Sequence, residues 1–164
     1  MRQLHTNKWT NNIVSTHGFC EIRLSENKTA KALFAITNFK KGNTLVAFTA
    51  AAILNEPTYL TVQTGLAEHI HLQPEFLQYI NHSCEPNVLF NTDTMQLEAV
   101  KDISAGDELR FFYPATEWDM AEQFKCLCET KSCIHQIKGA KYIDKKILSN
   151  YKLTAFITQM LSSL

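Results

Sequence analysis

Two stretches of this chain hold chemistry-bearing residues at spacings that point to a site. The first is Asn81-His82-Ser83-Cys84-Glu85-Pro86-Asn87, which sets two amides, an imidazole, a hydroxyl and a thiol within seven residues. Pro86 ends any helix running into it and holds the residue before it extended. The run therefore reads as a polar loop, not a packed strand or a helix interior. A buried polar loop needs a partner for every group, and this one reads as the floor of a binding site. The second stretch is Cys126-x-Cys128-x4-Cys133, three thiols in eight residues. In a chain whose first 25 residues are polar and carry no secretory signal, such a cluster suggests metal before disulfides. A structural zinc site takes four Cys or His ligands in a tetrahedron. The tail supplies three, and spacing alone leaves the fourth open among Cys84, Cys20 and His135. Cys84 would pin the tail across the polar loop and build one wall of a pocket.

Other groups carry less. His82 beside Cys84 has the types of a thiol hydrolase, but the i, i+2 spacing is taken as not presenting both to one substrate. His69 and His71 alternate on a strand and read as its rim. Cys20 reads as a packed free thiol. Lys138, Lys141, Lys145 and Lys146 read as a solvated helix face.

The elements that must position these groups are short. Ile13, Val14, Phe19 and Ile22 anchor one strand. Ala32 to Ile36 is an apolar run closed by the turn Lys40-Lys41-Gly42-Asn43, and Thr44 to Ala52 is a second run, strand-like at its start. Tyr59 to Thr64 is rich in β-formers, and Ile70 and Leu72 alternate with the two histidines. Pro74 suits the first turn of a short helix carrying Phe76, Leu77 and Ile80. Val88–Phe90 and Met95–Val100 flank a hairpin turn, and Glu108 to Tyr113 is a last strand stopped by Pro114. Asp144 and Thr154 are positioned to cap two short helices. Many short strands and almost no long helix argue a mostly-β domain. With five glycines and no Gly-rich phosphate loop, a βαβ nucleotide fold is excluded.

The bulk numbers agree. At 164 residues and 45% hydrophobic content the chain makes one globular domain with a small appendage. Its net charge of zero gives no global electrostatic case for nucleic acid or an anionic membrane. No apolar run approaches the ~20 residues needed to cross a bilayer. The expectation is an intracellular, reducing compartment, cytoplasm or nucleus, with no direct nucleic-acid or membrane partner.

Taken together, Asn81 to Asn87 followed by Gly106-Asp107-Glu108-Leu109-Arg110-Phe111-Phe112-Tyr113 resembles the paired signature of SET-domain protein lysine methyltransferases. The cysteine tail resembles their post-SET segment, and Lys31 to Ala35 followed by Lys41-Gly42 resembles their opening strand and turn. The resemblance runs from about 29 to 139, in family order. It implies a mainly-β SET-type fold of several short sheets with a pseudo-knot, plus short C-terminal helices. It implies a flanking segment at 1–28, a SET domain at 29–120, a zinc-binding post-SET segment at 121–140 and a helical extension at 141–164. It implies S-adenosylmethionine as methyl donor, one structural zinc ion, and a protein or peptide lysine, histone or not, as acceptor.

By position, Asn81 and His82 match the residues that hold the donor's amino-acid end, and Phe124 matches the aromatic on its adenine. Thr29, Ala30 and Lys31 match the backbone passing the donor, and Tyr59 a donor-side tyrosine. Tyr113 matches the tyrosine beside the transferring methyl. Phe111 matches the position that tunes how many methyls fit. Cys84 joins Cys126, Cys128 and Cys133 as zinc ligands. The sequence departs from the family in having Ala30-Lys31-Ala32 where Gly-x-Gly is usual, and Gln78 where a basic residue is common. The alternative is a SET-fold zinc protein with weak or no turnover, serving as an interaction module.

Overall fold

The computed structural model describes residues 9–163, so residues 1–8 of the expected N-terminal flank lie outside the described residues. The N-terminal region forms two strands, β1 (Trp9–His17) and β2 (Cys20–Ser25), where the sequence suggests one. They join through a tight turn in which Gly18 takes φ +26°. β1 is hard to see in the sequence because it is largely exposed: Ile13 and Val14 keep 49% and 47% of their surface. Among the described residues it pairs only with β2, so no alternating apolar face is required of it.

β2 pairs in turn with β3 (Lys31–Ala35), whose residues 32–35 are all buried. The reason is that β3 is covered twice. On its far edge the 106–109 segment bonds to it, with Leu109 N–H donating to Leu33 O at 2.8 Å and Ala35 N–H to Asp107 O at 2.9 Å. β4 (Thr44–Ala47), β9 (Val88–Asn91) and β10 (Gln96–Ala99) form a sheet in the order β4-β10-β9, and the expected hairpin at 91–96 is present. β5 (Thr49–Leu54), β6 (Thr61–Gly65) and β7 (Glu68–Gln73) form another with β7 in the middle. A 3₁₀ helix over Glu75–Tyr79 then leads into Asn81.

Two expectations need correction here. Asn81–His82 is a strand, β8, pairing in parallel with β11 (Arg110–Phe111), and not a free loop. The expected strand over Glu108–Tyr113 is correspondingly reduced to two residues, because Leu109 bonds to β3 and Tyr113 opens a 3₁₀ turn. Asn87 completes this pairing with its side chain: Nδ2 donates to Glu108 O at 2.9 Å and Oδ1 accepts from Arg110 N–H at 2.8 Å. The 107–111 segment thus runs between β3 on one side and residues 81–87 on the other.

The tail contributes a small ladder, β12 (Phe124–Lys125) with β13 (Gln136–Ile137), then α1 (Lys145–Leu148) and α2 (Ala155–Ser162). Asp144 and Thr154 cap these helices as expected, accepting from Lys146 N–H and Ile157 N–H. The extension is tied to the core by Tyr151, whose ring stacks on Phe112 at 3.8 Å and whose hydroxyl donates to Cys84 O at 2.9 Å. No described helix is long and apolar enough to cross a membrane.

Gly139 fixes how the tail returns to the body. It has φ +118°, and a Cβ there would sit 2.4 Å from Trp118 O. Residues on either side bond across this contact, Met120 N–H to Lys138 O and Ala140 N–H to Glu117 O. Gly139→Ala must therefore strain the backbone and push the bonded segments apart, at a cost on the order of 3 kcal/mol. Denaturant unfolding measures this; a loss below about 0.5 kcal/mol would show that the segments can separate freely.

Candidate active site and metal centre

The four cysteines at 84, 126, 128 and 133 come together, their sulfurs all within 4.8 Å of one another. None of the five cysteines is in a disulfide. The approach of residues 126–135 is set by left-handed backbone at Glu129 and His135 and by Cys126 N–H donating to His135 O at 2.6 Å. His135 is exposed and stands outside the cluster; Cys20 is buried in β2, where burial and the neighbouring Glu21 push its thiol up to about 12.

The donor set suits zinc. Zn–S bonds of about 2.3 Å require sulfurs about 3.8 Å apart in a tetrahedron, and Cys84 Sγ and Cys126 Sγ are 3.9 Å apart. The contact with Cys84 and burial both push the Cys126 thiol up. Cys84 Sγ also accepts from Ile134 N–H at 3.5 Å. The four cysteines could hold a zinc ion.

His82 links this centre to the pocket. Its Nδ1 accepts from Tyr113 N–H at 3.2 Å, so the ring hydrogen sits on Nε2, which faces Cys84 Sγ at 3.4 Å. Burial lowers its pKa to about 3, keeping the ring neutral. The spacing argument against a His–Cys pair is thus corrected: residues i and i+2 of an extended segment share a face, and these two touch. The Cys84 sulfur also lies in the four-cysteine cluster, so it is placed as a candidate metal ligand. His69 also differs from expectation. It is buried, not on a rim, and among the described residues its Nδ1 has no hydrogen-bond partner.

On the other side of His82 lies an aromatic cavity of about 100 Å³. Tyr113 is its hub. Its ring lies 4.6 Å from Phe111, 5.1 Å from His82 and 6.0 Å from Phe124, and its hydroxyl donates to Ile80 O at 3.2 Å. Phe111, Tyr113, Phe124 and Tyr59 all line this cavity, as does Gln78. Asn81 lies behind it: its Nδ2 donates to Lys31 O and to Glu108 Oε1, both at 3.2 Å, which joins the opening strand to the polar run. Thr29, Ala30, Lys31, Asn81 and His82 do not themselves line the cavity. Ala32 is fully buried, so its methyl fills protein interior, not open space.

One wall residue lay outside the sequence reading. Glu117 is buried, lines the cavity, and accepts from Gln63 N–H at 2.9 Å and Thr116 Oγ1 at 3.1 Å through Oε1. The available signal was an acidic residue set between apolar Ala115 and Trp118. Among the described residues, no lysine, arginine or histidine lines the cavity. Aromatic faces with the carboxyls of buried Glu117 and exposed Glu122, and no cation among the described lining residues, fit a sulfonium or an ammonium.

Residues 30–114 match the SET domain family model. The chain belongs to the SET domain family. It is 37% identical over 129 residues to the Methyltransferase flvH of Aspergillus flavus, covering 72% of each chain. It is 28% identical over 92 residues to the Histone-lysine N-methyltransferase, H3 lysine-36 specific, of Candida glabrata, covering 52% of this chain and 13% of that one. Among solved structures it is similar to KRYPTONITE in complex with mCHG DNA and SAH, with a TM-score of 0.56 and 19% identity over 74% of this chain and 30% of that one. That likeness shows that the short sheets above form a SET fold. This SET-domain chain spans only a fraction of the latter two proteins.

Proposed function

We propose that this chain is an S-adenosylmethionine-dependent protein-lysine N-methyltransferase whose aromatic cavity is the acceptor channel and whose cysteine cluster holds one structural zinc. The observation that carries the reading is the meeting of Phe111, Tyr113 and Phe124 in one cavity with no cation among its described lining residues, with His82 against Tyr113 and Phe124, in a chain of the SET domain family.

When bound, the donor supplies an electrophilic methyl on a sulfonium. The chain's own residues align the amine with it in a water-poor channel. Asn81 and His82 would hold the donor's amino-acid end, the backbone at 29–31 would pass alongside it, Phe124 would meet its adenine and Tyr59 would lie on the donor side. The Tyr113 hydroxyl orients the amine. Cys84, Cys126, Cys128 and Cys133 would hold the zinc ion, which would tie the 121–140 segment, with Phe124, to the SET body. Thr58–Val62 and Met120–Phe124 line the cavity together, and an acceptor segment would enter between them.

The test is incubation with labelled donor and a mixed protein extract, followed by mapping of the labelled residue. Label on lysine is expected; no incorporation into any protein would end the reading. The alternative of an interaction module rests on Ala30 and Ala32 replacing the usual glycines. Calorimetry separates the two: no donor binding at millimolar concentration would favour the module.

Phe111 sets the degree of methylation. Its ring packs between Phe90 at 4.9 Å and Tyr113 at 4.6 Å and has no hydroxyl to hold a water in the channel. Products beyond monomethyl-lysine are expected, and Phe111→Tyr is expected to shift them toward monomethyl. Mass spectra of exhaustive reactions decide it: monomethyl product alone from the unaltered protein counts against this role.

A further inference from the structure

We propose that Glu117 receives the acceptor lysine in the cavity and takes the proton from its ammonium, leaving a neutral amine beside Tyr113. This rests on the cavity being the acceptor channel. A lysine arrives charged, since its free pKa is near 10.4, and only the neutral amine has the electron pair that attacks a methyl group. Some group at the channel must dispose of the proton.

Glu117 is the buried carboxyl on this cavity, and its placement is over-determined. Oε1 accepts from Gln63 N–H on β6 and from the Thr116 hydroxyl. Gln63 answers with its own side chain, its Oε1 accepting from Trp118 N–H at 2.8 Å and its Nε2 donating to Gly65 O at 2.9 Å. A glutamine at 117 could accept both of the Oε1 bonds equally well. The fold therefore does not need an ionisable group here, while burying one is costly. The other titratable groups around it are Tyr59, Tyr113 and exposed Glu122 on the cavity, His69 across the sheet from Gln63, and the Asp119–Lys141 pair beyond Trp118. Of the described residues that line the cavity, none is a cation.

In the transfer, an N–H bond of the ammonium breaks and its electron pair stays on nitrogen. The proton forms an O–H bond with the Glu117 carboxylate. A cation and an anion become two neutral groups, the forms that a water-poor cavity favours. The carboxylic acid then returns its proton to solvent between turnovers. Burial pushes this carboxyl up to about 7, against the two hydrogen bonds, so both of its forms are populated near neutral pH, as a general base requires.

The test follows initial rates with saturating labelled S-adenosylmethionine and limiting mixed protein extract, from about pH 6 to about pH 9, for the full chain and for Glu117→Gln. The unaltered chain is expected to level off above about pH 7, where the carboxylate is formed. Glu117→Gln must wait for lysine to lose its proton to water, so its rate should climb about tenfold per pH unit and its deficit should shrink as pH rises. A purely structural role predicts a deficit that is the same at every pH, and that result overturns the proposal. Melting temperature reports folding in the same samples. A carboxyl raised from 4.5 to about 7 stabilises the fold below about pH 4.5 relative to higher pH, and that stability is lost as pH rises through 7. Glu117→Gln should therefore melt above the unaltered chain at about pH 8, with the gap closing toward pH 5. Should that variant fail to fold, Glu117→Asp is expected to be slower yet to level off like the unaltered chain; a continuous tenfold climb in it would overturn the proposal. No incorporation by the unaltered chain at any pH condemns the methyltransferase reading itself, a separate outcome.

Discussion

Cys84→Ser is expected to lose zinc and donor binding together. The residue sits where the tail, the polar run and the helical extension meet. Its sulfur joins the cysteines of the tail, its side chain faces His82 Nε2 at 3.4 Å, and its carbonyl accepts from the Tyr151 hydroxyl. Loss of an outer-shell hydrogen bond costs a metal site about 10–100-fold in affinity; loss of one of four ligands costs more, because the remaining three no longer close the tetrahedron. Without the ion, the 121–140 segment keeps the two-residue ladder β12–β13 and its contacts with Trp118, and Phe124 is no longer held at 5.7 Å from His82. Metal analysis by mass spectrometry and donor calorimetry on the same sample check both halves. Retention of one full equivalent of zinc would remove Cys84 from the ligand set. Cys20→Ser, altered in the buried β2 instead, should keep its zinc and serves as the control.

Tyr113→Phe is expected to leave the fold and the donor affinity nearly unchanged while lowering turnover about 10²-fold or more, the scale of a misaligned reactant. The ring contacts with Phe111, His82 and Phe124 survive the change, and what goes is the hydroxyl with its bond to Ile80 O. One such hydrogen bond contributes about 1 kcal/mol to stability, so the melting temperature should fall only a little. The deficit should also be the same at every pH, in contrast to the deficit expected at Glu117. A variant within about threefold of the unaltered rate would remove the hydroxyl from the chemistry.

The candidate site residues were legible because their chemistry leaves few alternatives. Three thiols in eight residues needed a fourth partner, and Asn81 to Asn87 had more polar groups than a surface turn requires. Asp144 and Thr154 were legible as caps for the same local reason. Elements whose status depends on what covers them were not. β1 is mostly exposed and carries no pattern. β8 reads as a loop because its pairing partner lies almost thirty residues further on, at Arg110 and Phe111. His69 sits on an alternating strand, and only the packing of the β5-β7-β6 sheet decides that it faces inward.

The amino-acid sequence by itself determined which groups this protein has to work with: three clustered thiols short of a fourth partner, a tyrosine and phenylalanines close together, and short strands to carry them. These follow from residue type and near-neighbour spacing, which act over a few bonds. Only the tertiary structure decided which of them meet. It chose Cys84 over His135, set His82 between the cysteines and Tyr113, and brought Glu117 to the same cavity through Gln63, some fifty residues away. Such meetings depend on long-range backbone pairing and on what each side chain is buried against, and neither is encoded in any one stretch of the chain.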